Sequence, residues 1–120
     1  MESILIVLIL LQIKHWYVDF VNQTNEEVAH KGIYLSWTGM KHSLKHGLAT
    51  LAILLAFFGS DYYFFSFILA FIDFVTHYHI DWLKMNYGNR DITTPAFWNH
   101  LGLDQMAHQL VYIGLVFLIL

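Results

Sequence analysis

The feature that most constrains this chain is a conflict inside one segment. FFSFILAFIDFVTHYHIDW, residues 64–82, is apolar enough for lipid yet carries two aspartates and two histidines. A charged side chain at the centre of a membrane helix costs about 2.5–3.5 kcal/mol even on a permissive scale, so such groups need partners at their own depth. The chain must therefore bring several apolar helices around a shared polar interior. Composition agrees. The 120 residues are 58% hydrophobic, 18% aromatic and only 12% charged, which excludes an ordinary soluble domain and leaves room for one integral membrane domain over residues 1–120. With no cysteine, disulfides and thiolate metal sites are excluded, and imidazole and carboxylate are the strong ligands left. The net charge of −3 comes with no basic stripe, which excludes nucleic acid as a partner and leaves membrane lipids.

Four apolar segments read as transmembrane helices, at about residues 3–21, 42–59, 61–86 and 95–120, each near the roughly 20 residues a span needs. Glu2 stands where a signal peptide would carry a basic region, and no small-residue cleavage site follows, so the first segment reads as a retained helix. Gly59-Ser60-Asp61 stops the second helix and turns the chain into the third, while Thr94-Pro95 supplies an N-cap and a first-turn proline for the fourth. The stretch VAHKGIYLSWTGM, residues 28–40, reads as an interfacial helix. The expected fold is all-α, a four-helix transmembrane bundle running up-down-up-down. Lys14, Lys31, Lys41, Lys45, Lys84 and Arg90 all fall toward the side of the two longer connections, which the positive-inside rule makes cytoplasmic. Both termini then lie on the non-cytoplasmic side.

The polar residues recur at helical spacing. His or Asp pairs four residues apart occur six times: His15/Asp19, His42/His46, Asp73/His77, His77/Asp81, His100/Asp104 and Asp104/His108. Their overall frequencies would give roughly one or two by chance. At about 1.5 Å of rise per residue, measured from the outer ends of the four helices, His15, His46, Asp73 and His108 fall at roughly 18–20 Å. Asp19, His42, His77 and Asp104 fall at roughly 24–25 Å, and Asp81 and His100 at about 30 Å. Each of the two deeper tiers takes one residue from every helix. His79 points to nearly the opposite face from His77 and reads as interfacial. A divalent cation is the economical compensation for such a cluster. Imidazole and carboxylate suit zinc first, with iron or manganese as alternatives, in one ion or two.

Several stretches carry a resemblance: HWYVDFVNQT (His15–Thr24), Lys31 beyond it, KHSLKHG (Lys41–Gly47), HYHIDWLK (His77–Lys84) and LDQMAHQL (Leu103–Leu110). The chain resembles a family of small bacterial and phage membrane proteins of unknown function, with an H-x3-D-F-x2-Q pattern in the first helix and D-Q-x2-H in the last. That family is distantly similar to membrane-bound metal-dependent hydrolases. The resemblance marks His15, Asp19, Gln23, His42, His46, His77, Asp81, Asp104, Gln105 and His108. It implies a bacterial inner membrane, or the host's inner membrane for a phage-encoded member. Asp73 rests on the depth argument alone.

The leading expectation is a membrane-embedded metal-dependent hydrolase acting on a lipid or lipid-linked ester or phosphoester at the cytoplasmic leaflet. His15, Asp19, His42, His46, Asp73, His77, Asp104 and His108 form the ligand pool, Asp104 or Asp81 the general base, and Gln23 or Gln105 the group that orients substrate. A diiron oxidase or desaturase would use the same bundle, although the H-x2-H-H doublets of membrane desaturases are absent. Metal or proton transport would need a polar path through ILIVLILL and LVFLIL, which offer none. His46 and His108 could clamp a haem, and an accessory subunit would use the polar network only to fix packing. Singly, a His–Asp pair near a helix end is ordinarily a snorkelling interfacial pair. Lys14, Lys45 and Lys84 read most simply as interface anchors, Glu26 and Glu27 as solvated, and Gly39, Gly47 and Gly102 as sites of close helix contact or backbone adjustment.

Overall fold

The structure, a computed structural model, describes residues 2–120. Those residues are all-helical, with no strand among them. The helices are α1 (Glu2–Trp16), α2 (Asn25–His30), α3 (Trp37–Phe58), α4 (Tyr63–Tyr87) and α5 (Pro95–Ile119). A π-helical turn, Tyr17–Val21, extends α1, and a 3-10 turn, Ser60–Tyr62, precedes α4. α1 packs on α3 and α5, α3 on α4, and α4 on α5, so each long helix touches two others.

Local sequence explains where these elements begin and end. Gly59 adopts φ 78°, a left-handed conformation that suits glycine, and caps α3 before the short turn into α4. Thr94 Oγ1 accepts from Phe97 N at 3.4 Å with Pro95 in the first turn, as its dipeptide predicts. In the 22–36 connection Thr24 builds a capping box with Glu27, starting α2 at Asn25, and the chain leaves helix after His30 and re-enters it at Trp37, with Ser36 extended at the N-cap position of α3. The interfacial helix expected over residues 28–40 is therefore replaced by two pieces, and α3 starts five residues before the expected His42.

Three segments are long and apolar enough to cross a membrane: Glu2–Val21, Ser60–Tyr87 and Pro95–Ile119. α3 has 22 residues but falls short in apolarity, because Lys41, His42, Ser43, Lys45 and His46 crowd its first half. Large apolar side chains face outward along all of these helices, among them Leu5, Leu48, Phe71 and Phe117, an arrangement that suits lipid better than water.

The interior divides along its length. Toward the Gly59 turn, Val7, Leu11, Leu54, Leu69, Leu115 and Val116 close an apolar core around the ring of Tyr112. Farther along, every buried position from Lys14 to Asp19 on α1 except Val18, and from Asp73 to Asp81 on α4 except Tyr78, is ionisable.

Candidate metal centre

The boundary between the two halves is a layer with one residue from each long helix. Lys14 Nζ donates to Asp73 Oδ2 (2.7 Å) and to Tyr112 OH (3.1 Å), and Thr50 Oγ1 donates to the same Asp73 oxygen (2.6 Å). Lys14 is only 7% exposed and Asp73 1%, so this is a fully buried ion pair and not an interface anchor. Asp73, expected among the metal ligands, is thereby held by an amine and a hydroxyl, outside the His/Asp groups that could hold an ion.

Above it lies a layer of four imidazoles, again one per helix. The rings of His46 and His77 stack with centroids 3.5 Å apart, those of His77 and His108 at 4.1 Å, and His15 closes on His108 at 4.9 Å. Gly47 lets α3 and α4 come this close: a Cβ there would meet Phe74 Cβ at 3.0 Å and the Ala70 carbonyl oxygen at 3.1 Å. Gly39 likewise sits against the His30 carbonyl, whereas a Cβ on Gly102 would meet nothing within 4 Å, so Gly102 is not a site of close helix contact.

The carboxylates come one turn farther on. Asp81, expected near the mouth, is 1% exposed and lies against three histidines, at 3.5 Å from His42 Nε2, 3.4 Å from His77 Nε2 and 3.2 Å from His108 Nε2. Compared with the expected tiers, α4 is displaced by one turn, about 5.4 Å. His77 occupies the level expected for Asp73, and Asp81 that expected for His77. The helices do not start at one level: the 3-10 turn and first turn of α4, with Tyr62, Tyr63 and Phe64 exposed, precede the packed part of this helix. Asp19 is re-aimed by the π-turn, whose Asn22 N–H reaches back five residues to Tyr17 O (2.8 Å).

Lysines decide how these acids are balanced. Lys31 Nζ is 2.8 Å from Asp81, Lys84 Nζ 2.7 Å from Asp104, Lys45 Nζ 2.7 Å from Glu27, and Lys14 serves Asp73. Lys14 and Lys84, which read from the sequence as interface anchors, reach inward to aspartates, and Glu27 is buried where solvent was expected, whereas Glu26 is exposed. Burial alone would push the Glu27 carboxyl up, but the Lys45 ammonium and the Thr24 N–H hold it below the usual glutamate range. Asp19 is the exception. Among the described residues no lysine pairs with it; imidazoles surround it instead, His42 Nε2 at 2.8 Å, His46 Nε2 at 3.0 Å and His77 Nε2 at 3.5 Å from Oδ1, and His15 Nε2 at 3.2 Å from Oδ2.

Asp19, His42, His46 and His77 form the largest group able to hold an ion. A tetrahedral zinc site with bonds near 2.0–2.1 Å has donor atoms about 3.3–3.4 Å apart. The Asp19–His42, Asp19–His77 and His42–His77 separations of 2.8, 3.5 and 3.3 Å bracket that spacing. A ligating Nε2 leaves Nδ1 as a donor. His42 Nδ1, without a hydrogen bond, lies 3.8 Å from Glu27 Oε2, and His77 Nδ1 is also unbonded. His46 differs, because the Lys14 amine lies 3.4 Å from its Nδ1. An ammonium has no acceptor to offer, so this contact makes Nδ1 the acceptor and leaves the proton on Nε2, facing Asp19. His15/His77/His108 and Asp81/Asp104/His108 form two further groups.

The remaining expected residues lie at the edges. Gln105 bridges His15 Nε2 (2.9 Å) and Asp104 (3.0 Å), while Gln23 lines a cavity with a buried, unpartnered Oε1. His100 is half-buried and accepts from Asn89 N (2.8 Å), and His79 is exposed against Tyr34.

This geometry is spread over the same stretch that family comparison matches. A family described as a protein of unknown function (DUF3307) matches residues 7–120. The chain belongs to this family. The match takes in every residue of the three layers. No curated protein and no solved structure matches the chain.

Proposed function

We propose that this DUF3307 member is a membrane-embedded metal-dependent hydrolase of a lipid or lipid-linked ester or phosphoester. In this reading its four long helices form an up-down-up-down transmembrane bundle, with both termini outside and the polar half toward the cytoplasmic leaflet. One observation carries it: Asp19 is the buried carboxylate with imidazoles in place of a lysine. A buried charge left without a counter-charge costs several kcal/mol, and a cation among those nitrogens supplies one.

Asp19, His42 and His77 are the ligands we assign. His46, its Nε2 kept as a donor by Lys14, would hydrogen-bond Asp19 and leave a coordination position open, as catalytic zinc sites require. Zinc suits two imidazoles and a carboxylate; iron and manganese accept the same donors. Bound there, a divalent ion polarises the scissile carbonyl or phosphoryl group and lowers the pKa of water. A single ion is favoured over two, since Lys31 and Lys84 already balance Asp81 and Asp104.

Asp81 is the better of the two candidate bases, being in contact with both assigned histidines. It takes the proton as water adds to the carbonyl carbon or phosphorus, and returns it to the leaving oxygen. Gln105 acts at one remove by steadying His15 and Asp104, and Gln23 is the glutamine nearer substrate. The test is product release from phospholipid by the full chain in lipid nanodiscs. Asp81→Asn should keep its metal and lose about 10²–10⁴-fold in rate. Metal-loaded wild type that cleaves neither ester nor phosphoester, or Asp81→Asn turning over normally, overturns the reading.

A further inference from the structure

Two cavities share a pair of lining residues, Lys84 and His100. A groove of about 280 Å³ between α4 and α5 is walled by Ile80, Leu83, Tyr87, Leu103 and Ala107. A second cavity of about 170 Å³ lies beneath the connections and is lined by Gln23, Lys31, Asn89 and Phe97, among others. Lys84 and His100 border both. The groove is apolar apart from these two and Asp104, and it opens between Leu83 and Leu103, exposed apolar residues on helices able to span a membrane. The second cavity is different in kind, since Lys31, Lys84, His100 and Gln23 are among the residues that line it. Because Asn89 N–H donates to His100 Nδ1, the neutral ring carries its proton on Nε2 and can donate. Gln23 Oε1, buried and unpartnered, adds an acceptor fit for a hydroxyl.

We propose that these joined cavities bind one phosphate-bearing lipid, its phosphate between Lys84 and His100, its head-group hydroxyl on Gln23, and an acyl chain in the α4–α5 groove. The Lys84 amine and the His100 Nε2 proton supply the donors for an anion, and the opening toward lipid selects a membrane ligand over a soluble one. Asp104 does not repel the phosphate outright, because its Oδ2 already accepts from Lys84 (2.7 Å) and Gln105 (3.0 Å), leaving Lys84 to bridge the two anions. The Lys31–Asp81 and Lys84–Asp104 pairs stand between this cavity and the imidazoles, so the phosphate would wait one layer from the Asp19 centre. The inference supplies the substrate class for the hydrolase reading and rests on it for the chemistry, but not for the binding.

Binding of dioleoylphosphatidylglycerol, dioleoylglycerol and inorganic phosphate to the full chain in detergent tests it, with metal content read on the same samples. Wild type should bind the phospholipid at least ten-fold more tightly than dioleoylglycerol. Ala107→Phe, which fills the groove, should weaken phospholipid at least ten-fold with metal content unchanged. Lys84→Gln should erase the preference for the phosphate; should that variant fail to fold, the wild-type comparison and Ala107→Phe still decide. Equal affinity for the two lipids, undiminished binding by Ala107→Phe, or inorganic phosphate binding as tightly as the phospholipid would each overturn the proposal. Lipid binding without metal would instead remove the hydrolase reading and leave this site standing.

Discussion

Between Leu11 and Asp19, α1 passes from one kind of interior into another. Around Leu11 the neighbours are Leu54, Leu69 and Leu115, and the helices are held by close packing alone. One turn on, Lys14, Thr50, Asp73 and Tyr112 supply the same four positions with an ion pair and hydroxyls. Two further turns are imidazole and carboxylate. The apolar half has nothing to satisfy, whereas the polar half must balance each charge it buries. It does so with a lysine for Asp73, Asp81, Asp104 and Glu27, and with imidazoles alone for Asp19. The difference separates the acids paired with lysine from the one that sits in a group able to hold an ion.

Breaking the boundary layer should have the largest effect. Lys14→Met leaves Asp73 charged and unpaired, at a cost of about 3–5 kcal/mol, and the double change Lys14→Met/Asp73→Leu should restore most of it. Thermal unfolding in detergent checks both; a silent single variant would mean the pair does not carry the boundary. In the apolar half, Leu11→Ala should cost about 2–5 kcal/mol while leaving bound metal as in wild type, which separates stability from the centre.

The glycines sharpen the contrast more gently. Gly47→Ala should push α4 from α3 and destabilise by about 1–3 kcal/mol, whereas Gly102→Ala, with open space around it, should stabilise by up to about 1 kcal/mol. Both are read from unfolding midpoints. The smallest effect concerns Glu27. Its folded-state pKa is lowered, so its contribution is present at neutral pH and fades as pH falls below the unfolded value of about 4.3. Glu27→Gln should therefore melt slightly below wild type near pH 7 and match it in acid; parallel melting curves at all pH values would contradict this.

Much of this was readable beforehand. Long apolar runs, Thr94-Pro95 and Gly59 mark the helices because capping and lipid solvation act locally. The i,i+4 pairs gather His15, Asp19, His42, His46, His77, Asp104 and His108 because each helix turns one face inward. What a spacing rule cannot carry is relative height. The turn at Ser60–Tyr62 displaces α4 by one repeat, so that Asp81 and not Asp73 falls in the groups that could hold an ion. Nor does composition tell a lysine at an interface from one folded inward: Lys14, Lys31 and Lys84 reach their aspartates across other helices, 59, 50 and 20 residues away in sequence. Nothing in the short, polar α2 marks Glu27 as buried, because its burial depends on the packing of α2 on α3.

Elemental analysis of detergent-purified protein, wild type beside Asp19→Asn, tests the central claim most directly. The account predicts about one zinc, iron or manganese ion per chain in wild type and less than a tenth of that in Asp19→Asn, with Leu11→Ala retaining the wild-type amount. Wild-type protein free of transition metal, or Asp19→Asn as fully loaded as wild type, would contradict it.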